Sequence, residues 1–169
     1  PSAARSSRCD WRSARAGADG VLCVDLPPEE SEELKRWTDA EGMDLIFLLS
    51  PASGKQRVGL VARKARGFIY YVSVTGVTGA RQSLDEQLRS QVAQVRRMTP
   101  IPVGVGFGIS TPQQAAWIVE FADAVVIGSA LVQTIERASG RLAKAQAAGH
   151  FVSGIKRAMK RSRRNGRKH

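Results

Sequence analysis

Apolar residues gather in five short runs, at 20–26, 44–49, 69–74, 101–105 and 124–127. Each run has strand length, and the polar stretch after each of the first four is long enough for a helix. The segment 28–37 starts with Pro and four glutamates, as a first helical turn favours. A second helix is predicted over 55–65. In 84–98, Leu84, Leu88, Val92 and Val95 share one helical face. Ser110-Thr111-Pro112 offers a cap followed by proline near the first helical position. The segment 132–148 reads as one or two helices, and Phe151, Ile155 and Met159 form a last apolar stripe. Strands alternating with helices require parallel pairing through crossovers. Runs that are apolar at nearly every position predict strands covered on both faces.

Three glycine-bearing turns follow the last three runs: Gly76-Val77-Thr78-Gly79, Gly106-Phe107-Gly108-Ile109-Ser110 and Gly128-Ser129-Ala130. Glycine lets backbone approach a ligand closely, and a helix start presents unpaired N–H groups to an anion. Three such turns in series point to one phosphate held by backbone at several strand ends. Both a (β/α) barrel and a doubly wound sheet fit the alternation. The doubly wound fold would put G-x-G-x-x-G after its first strand, and no such match occurs there. A barrel puts its phosphate site after its last two strands, beside a short extra helix. The expected fold class is therefore α/β, a partial (β/α)8 TIM barrel with about five parallel strands and crossover helices.

Charge divides the chain further. The net charge of +11 sits at the ends. Residues 156–169 hold eight Lys/Arg and no acid, and residues 1–15 hold four Arg and one Asp. The remainder has 14 basic and 14 acidic residues, so the body is neutral. The expected organisation is an irregular basic N-terminal segment (1–13), a barrel portion (14–159) and a basic disordered tail (160–169). The tail reads as solvated, with nucleic-acid binding as the alternative; no aromatic residue lies in 152–169 to stack on a base. Cys9 and Cys23 lack metal-ligand spacing, no metal is expected, and Cys23 reads as a small core residue. No run is long enough to span a membrane. No secretory leader is evident at the start, and a reducing cytoplasm fits best.

Four motifs carry a family resemblance. Asp25-Leu26-Pro27-Pro28-Glu29-Glu30, Gly67-Phe68-Ile69-Tyr70-Tyr71-Val72-Ser73, Gly76-Val77-Thr78-Gly79 and Pro102-Val103-Gly104-Val105-Gly106-Phe107-Gly108-Ile109-Ser110 resemble the tryptophan synthase alpha chain, over about 14–159. The resemblance implies a (β/α)8 barrel that cleaves indole-3-glycerol phosphate to indole and glyceraldehyde 3-phosphate. It implies a beta-chain partner in an alpha2-beta2 assembly, with pyridoxal phosphate only in the beta chain and no cofactor here. By position, Gly79, Gly108, Gly128 and Ser129 fall where the family binds the substrate phosphate, with Phe107 between two of those turns. Thr78 falls in the family's loop that closes over substrate. Tyr70 matches a tyrosine beside the indole moiety, with a plain core aromatic as the alternative. Asp25, Pro27 and Pro28 fall near the beta-chain contact, and Asp25 could equally be a solvated or capping acid.

The first recognisable strand corresponds to the family's fourth. The stretch resembling Glu-Leu-Gly-x-Pro-Phe-Ser-Asp-Pro, which in the family supplies the proton-shuttling glutamate and the aspartate facing the indole nitrogen, has no match in residues 1–18. Catalytic residues are therefore unassigned. Glu29, Glu30, Glu32 and Glu33 sit in a helix's first turn and read as a solvated face; His150 and His169 lie away from any strand end. The expectation is an alpha chain by descent with impaired catalysis. Two alternatives stand beside it: another phosphate-binding barrel enzyme, and a non-catalytic phosphate-binding remnant or interaction protein with a nucleic-acid-binding tail.

Overall fold

The computed structural model describes residues 13–73, 81–106 and 108–166 of the 169-residue chain, with side chains described for 13–73, 86–106 and 108–164. Five strands form one sheet: β1 (Gly20–Leu22), β2 (Asp44–Leu49), β3 (Ile69–Val72), β4 (Val103–Gly106) and β5 (Ala124–Val126). All pair in parallel, in the order of the chain. Between them run α1 (Glu32–Ala40), α2 (Lys55–Lys64), α3 (Arg81–Met98) and α4 (Pro112–Ile118); α5 (Ser129–Glu136) and α6 (Arg141–Gly166) follow the last strand. Consecutive parallel strands joined by helices are the (β/α) pattern expected, and the sheet positions every strand's C-terminal end on one side.

The core lies between sheet and helices. Leu45, Phe47, Leu49, Ile69, Tyr71, Val103 and Val105 of the strands meet Val58 and Val61 of α2, Leu88, Val92 and Val95 of α3, Ala115 and Ile118 of α4, and Ile155 of α6 in one buried cluster. Period-3.6 faces on the helices and period-2 faces on the strands produce this packing. Leu88, Val92 and Val95 are buried as the helical spacing predicts; the side chain of Leu84 lies outside the described set.

Coverage on both faces holds for β4 alone, which is buried throughout. In β2 and β3 buried positions alternate with half-buried ones, so the described residues fully cover only one face of each. β4 escapes this because the rings of Phe68, just before β3, and Tyr70, within it, lie over its glycines: a Cβ on Gly104 would come within 3.3 Å of Phe68, and one on Gly106 within 2.5 Å of Tyr70. Glycine in a strand interior commonly marks such a close approach.

Three other expectations change. Cys23 is exposed. β1 ends at Leu22 and is an edge strand among the described residues, so the run continues as exposed chain, with Val24 also exposed. The helix expected over 28–37 is a 3-10 turn (Pro28–Glu30) followed by α1, broken where the Ser31 hydroxyl donates to the Pro28 carbonyl at 2.8 Å. The basic tail expected from residue 160 is helical through Gly166. Met159 extends the packed stripe, Ser162 Oγ donates to Glu120, and Arg163 donates to the Asp123 carbonyl at 2.6 Å. The segment 132–148 resolves into parts of α5 and α6, divided at Gly140, whose φ is 84°.

Candidate functional site

The register sets the site. Tyr70 pairs with Gly104 and Val72 with Gly106 across β3–β4, and Gly106 pairs with Val126 across β4–β5. Gly108 and Gly128 therefore each lie two residues beyond a paired position, on the C-terminal side of neighbouring strands. The ends of β3 and β4 are tied together there: the Gly106 carbonyl accepts from both the N–H and the hydroxyl of Ser73, each at 2.9 Å. Ser73 is buried and was part of a sequence motif, yet nothing in its spacing singled it out; a small hydroxyl closing an apolar run was the only signal.

Gly108 is exposed and has φ of 74°, a left-handed conformation that favours glycine. Four residues later the chain enters α4, whose start satisfies its own donors. Thr111 Oγ1 accepts from the Gln114 N–H at 3.2 Å, while Gln114 Oε1 accepts from the N–H groups of Thr111 and Ser110 at 3.1 and 2.9 Å. This capping box leaves little for an external anion.

The start of α5 differs. Gly128 is its N-cap and contributes no side chain, and its carbonyl takes the N–H groups of Leu131 and Val132. Among the described backbone hydrogen bonds none is donated by Ser129 or Ala130. Ser129 is exposed at the first helical position, at the positive end of the helix dipole. Of the two helix starts after these turns, α5 is the one with donors to offer. This short helix lies between β5 and the long α6 along the chain.

Tyr70 projects from β3 over Gly106 and is half-buried, and burial raises its hydroxyl above the usual tyrosine range. It stays neutral and apolar over most of its ring, which suits an aromatic ligand group. Thr78, Gly79 and Phe107 lie outside the described residues. Asp25 is exposed and Pro28 buried. The Pro27–Glu30 corner is fixed against α2: Lys64 Nζ donates to the Pro28 carbonyl at 2.8 Å and pairs with Glu32 at 2.6 Å. The Lys64 hydrogen bond and charge hold the Glu32 carboxyl below its usual range. Glu29, Glu30, Glu32 and Glu33 are exposed, as a solvated face should be, and His150 lies within α6. No group of three or more His, Cys, Asp or Glu side chains among the described residues could hold a metal ion. Among the described residues no helix is long and apolar enough to cross a membrane.

Comparison with known proteins converges on one family. The family model described as "Tryptophan synthase alpha chain" matches residues 10–160. A tryptophan synthase alpha chain from Geobacter sp. (strain M21) is 53% identical over 151 residues, 89% of this chain and 56% of the relative. One from Geobacter sulfurreducens is 57% identical over 125 residues, 74% of this chain and 47% of the relative. The crystal structure of tryptophan synthase subunit alpha from Legionella pneumophila str. Paris superposes with a TM-score of 0.80 at 34% identity, covering 92% of this chain and 57% of that one. The chain thus spans about half the length of the curated relatives it matches.

Proposed function

This chain belongs to the tryptophan synthase alpha chain family, and from that premise we propose that it forms the phosphate- and indole-binding side of a lyase site for indole-3-glycerol phosphate. The reaction class is carbon–carbon cleavage to indole and glyceraldehyde 3-phosphate. The observation that carries the reading is the open start of α5 beside the left-handed turn at Gly108, at the C-terminal ends of two paired strands.

In this reading the substrate phosphate rests on the N–H groups at Gly79, Gly108, Gly128 and Ser129. Backbone donors and the helix dipole hold a dianion without a cationic side chain. The phosphate is remote from the bond that breaks, so its binding positions the indole–glycerol bond. The Tyr70 ring borders the indole, and Phe107, between two of the phosphate turns in sequence, and Thr78, in the loop that closes over substrate in the family, complete the substrate-binding set. Cleavage also needs a proton delivered to indole C3, a hydroxyl proton removed, and charge at the indole nitrogen stabilised. A positioned carboxylate contributes about 10²–10⁴-fold to such proton transfers. No residue within 1–169 fills that role in our reading, and the carboxylates come from a segment matching the family's earlier strands. We further propose that the corner at Asp25, Pro27 and Pro28 faces a beta chain. The pyridoxal phosphate chemistry belongs to that partner, and this chain uses no cofactor.

Glycerol 3-phosphate tests the binding half. A saturating concentration is expected to raise the melting temperature of the 169-residue chain, and Gly108→Asp to abolish that rise while leaving the unliganded melting curve cooperative. An unchanged wild-type melting temperature overturns the phosphate site. Indole release tests the other half: none is expected from this chain, with or without a beta chain, and steady turnover would show that residues 1–169 contain their own acid–base group.

A further inference from the structure

We propose that the exposed face of α6 between Lys156 and Arg164 is a binding surface for the phosphate backbone of duplex nucleic acid. From Arg141 to Gly166 the helix carries eight Lys/Arg and no Asp or Glu. Its apolar stripe, with Ile155 buried and Phe151 and Met159 packed on the core, faces the body of the protein. At 100° per residue, Lys156, Arg157, Lys160, Arg161 and Arg164 fall on the opposite arc, and all five are exposed. An open cleft of about 380 Å³ is lined by Lys156, Met159, Lys160, Arg163 and Arg164.

The pairing of charges separates this face from the rest of the molecule. Lys35, Arg57, Lys64, Arg66, Arg89 and Arg96 each meet a carboxylate. Among the described residues no cation of α6 takes part in an ion pair. The nearby carboxylates, Glu120 and Asp123, are engaged by Arg89 and Arg96 of α3. Arg163 donates to the Asp123 carbonyl, which anchors the helix while its outer cations stay available. Like charges at i,i+4 repel on a helix surface, and a line of phosphates relieves that repulsion.

Charge complementarity fits a polyanion, and the packing selects which one. The stripe that would enter a lipid surface is packed against the body, and no large apolar side chain is exposed between Lys156 and Arg164, so this segment offers no apolar face to a membrane. No aromatic side chain lies between Val152 and Arg164, so single-strand base stacking has no platform. From Lys156 to Arg164 the helix rises about 12 Å, along which duplex DNA carries about seven phosphates. About four simultaneous contacts are expected.

The test is fluorescence anisotropy of the full 169-residue chain with a labelled duplex of about 20 base pairs, titrated in salt. With about four phosphate contacts the log–log slope is expected near −3.6, so affinity falls on the order of 100-fold between about 50 and 200 mM salt. The triple variant Lys156→Gln, Lys160→Gln, Arg164→Gln is expected to bring the slope to about −0.9, with its urea unfolding midpoint unchanged. The charge-reversed triple Lys156→Glu, Lys160→Glu, Arg164→Glu is expected to abolish binding. A slope shallower than about −2, or equal binding by the wild type and the glutamine triple, overturns the proposal. So does binding to anionic phosphatidylserine vesicles with none to the duplex.

Discussion

Adding one methyl group at Gly106 probes the contact that shapes the Tyr70 side of the candidate site. A Cβ there would lie 2.5 Å from Tyr70 Cε2, 2.6 Å from its hydroxyl oxygen and 2.9 Å from Cζ. Carbon atoms in favourable contact stand about 3.5–4.0 Å apart, so the ring must move by roughly 1 Å or the strands must part. The strands resist parting, because the Gly106 carbonyl is held twice by Ser73. Overpacking of this kind costs about 1–3 kcal/mol. Gly106→Ala is therefore expected to destabilise the chain by that amount in urea unfolding followed by circular dichroism. In a Tyr70→Ala background the clash has no partner, and Gly106→Ala should cost less than about 0.5 kcal/mol. The double-mutant cycle thus yields a coupling of about 0.5 kcal/mol or more. Equal costs in the two backgrounds would refute the steric account and place the role of Gly106 in backbone conformation.

Two further predictions rest on single side chains. Thr111→Ala removes the acceptor for the Gln114 N–H and half of the capping box; a loss of about 1 kcal/mol is expected in the same unfolding assay, and no loss would mean that Ser110 replaces it. Burial pushes the Tyr71 hydroxyl from 10.0 up to about 12, and it donates to Gln91 Oε1 at 2.9 Å. A raised folded-state value means that its stabilisation is complete below the unfolded value and is lost as pH rises from about 10 to about 12, by roughly 3 kcal/mol in all. Relative to wild type, Tyr71→Phe is expected to gain ground across that window in pH-dependent unfolding, and parallel curves would contradict it.

The sequence displayed the parallel (β/α) order because buried strands and amphipathic helices leave different periodicities, as in 44–49 and at Leu88, Val92 and Val95. It displayed the Thr111 cap because Thr-Pro-Gln-Gln is a local signal. What it hid depends on neighbours. Cys23 reads as core in a run of apolar residues, and only its place beyond the end of an edge strand exposes it. The basic stretch after Lys160 reads as disordered until Ser162 and Arg163 find Glu120 and Asp123 some forty residues away. At the site, glycine spacing pointed to Gly108 and Gly128 alike. That α4 consumes its own donors through Gln114 while α5 does not is a matter of hydrogen-bond geometry that glycine spacing could not distinguish.

The polarity of the sheet has a consequence for assembly. Among the described residues β1 and β5 are its edges, and every strand points the same way. Exposed edges are templates for added strands. A second copy that sets its β1 against the first copy's β5 in parallel leaves one β1 and one β5 free again, so the contact is heterologous and propagates without closing. Two copies meeting through the same edge about a twofold axis would instead run antiparallel there. A cover that finishes the sheet as a closed barrel has to meet β1 and β5 at once, with strands of the same direction; a cover that meets one of them moves the growing end without removing it.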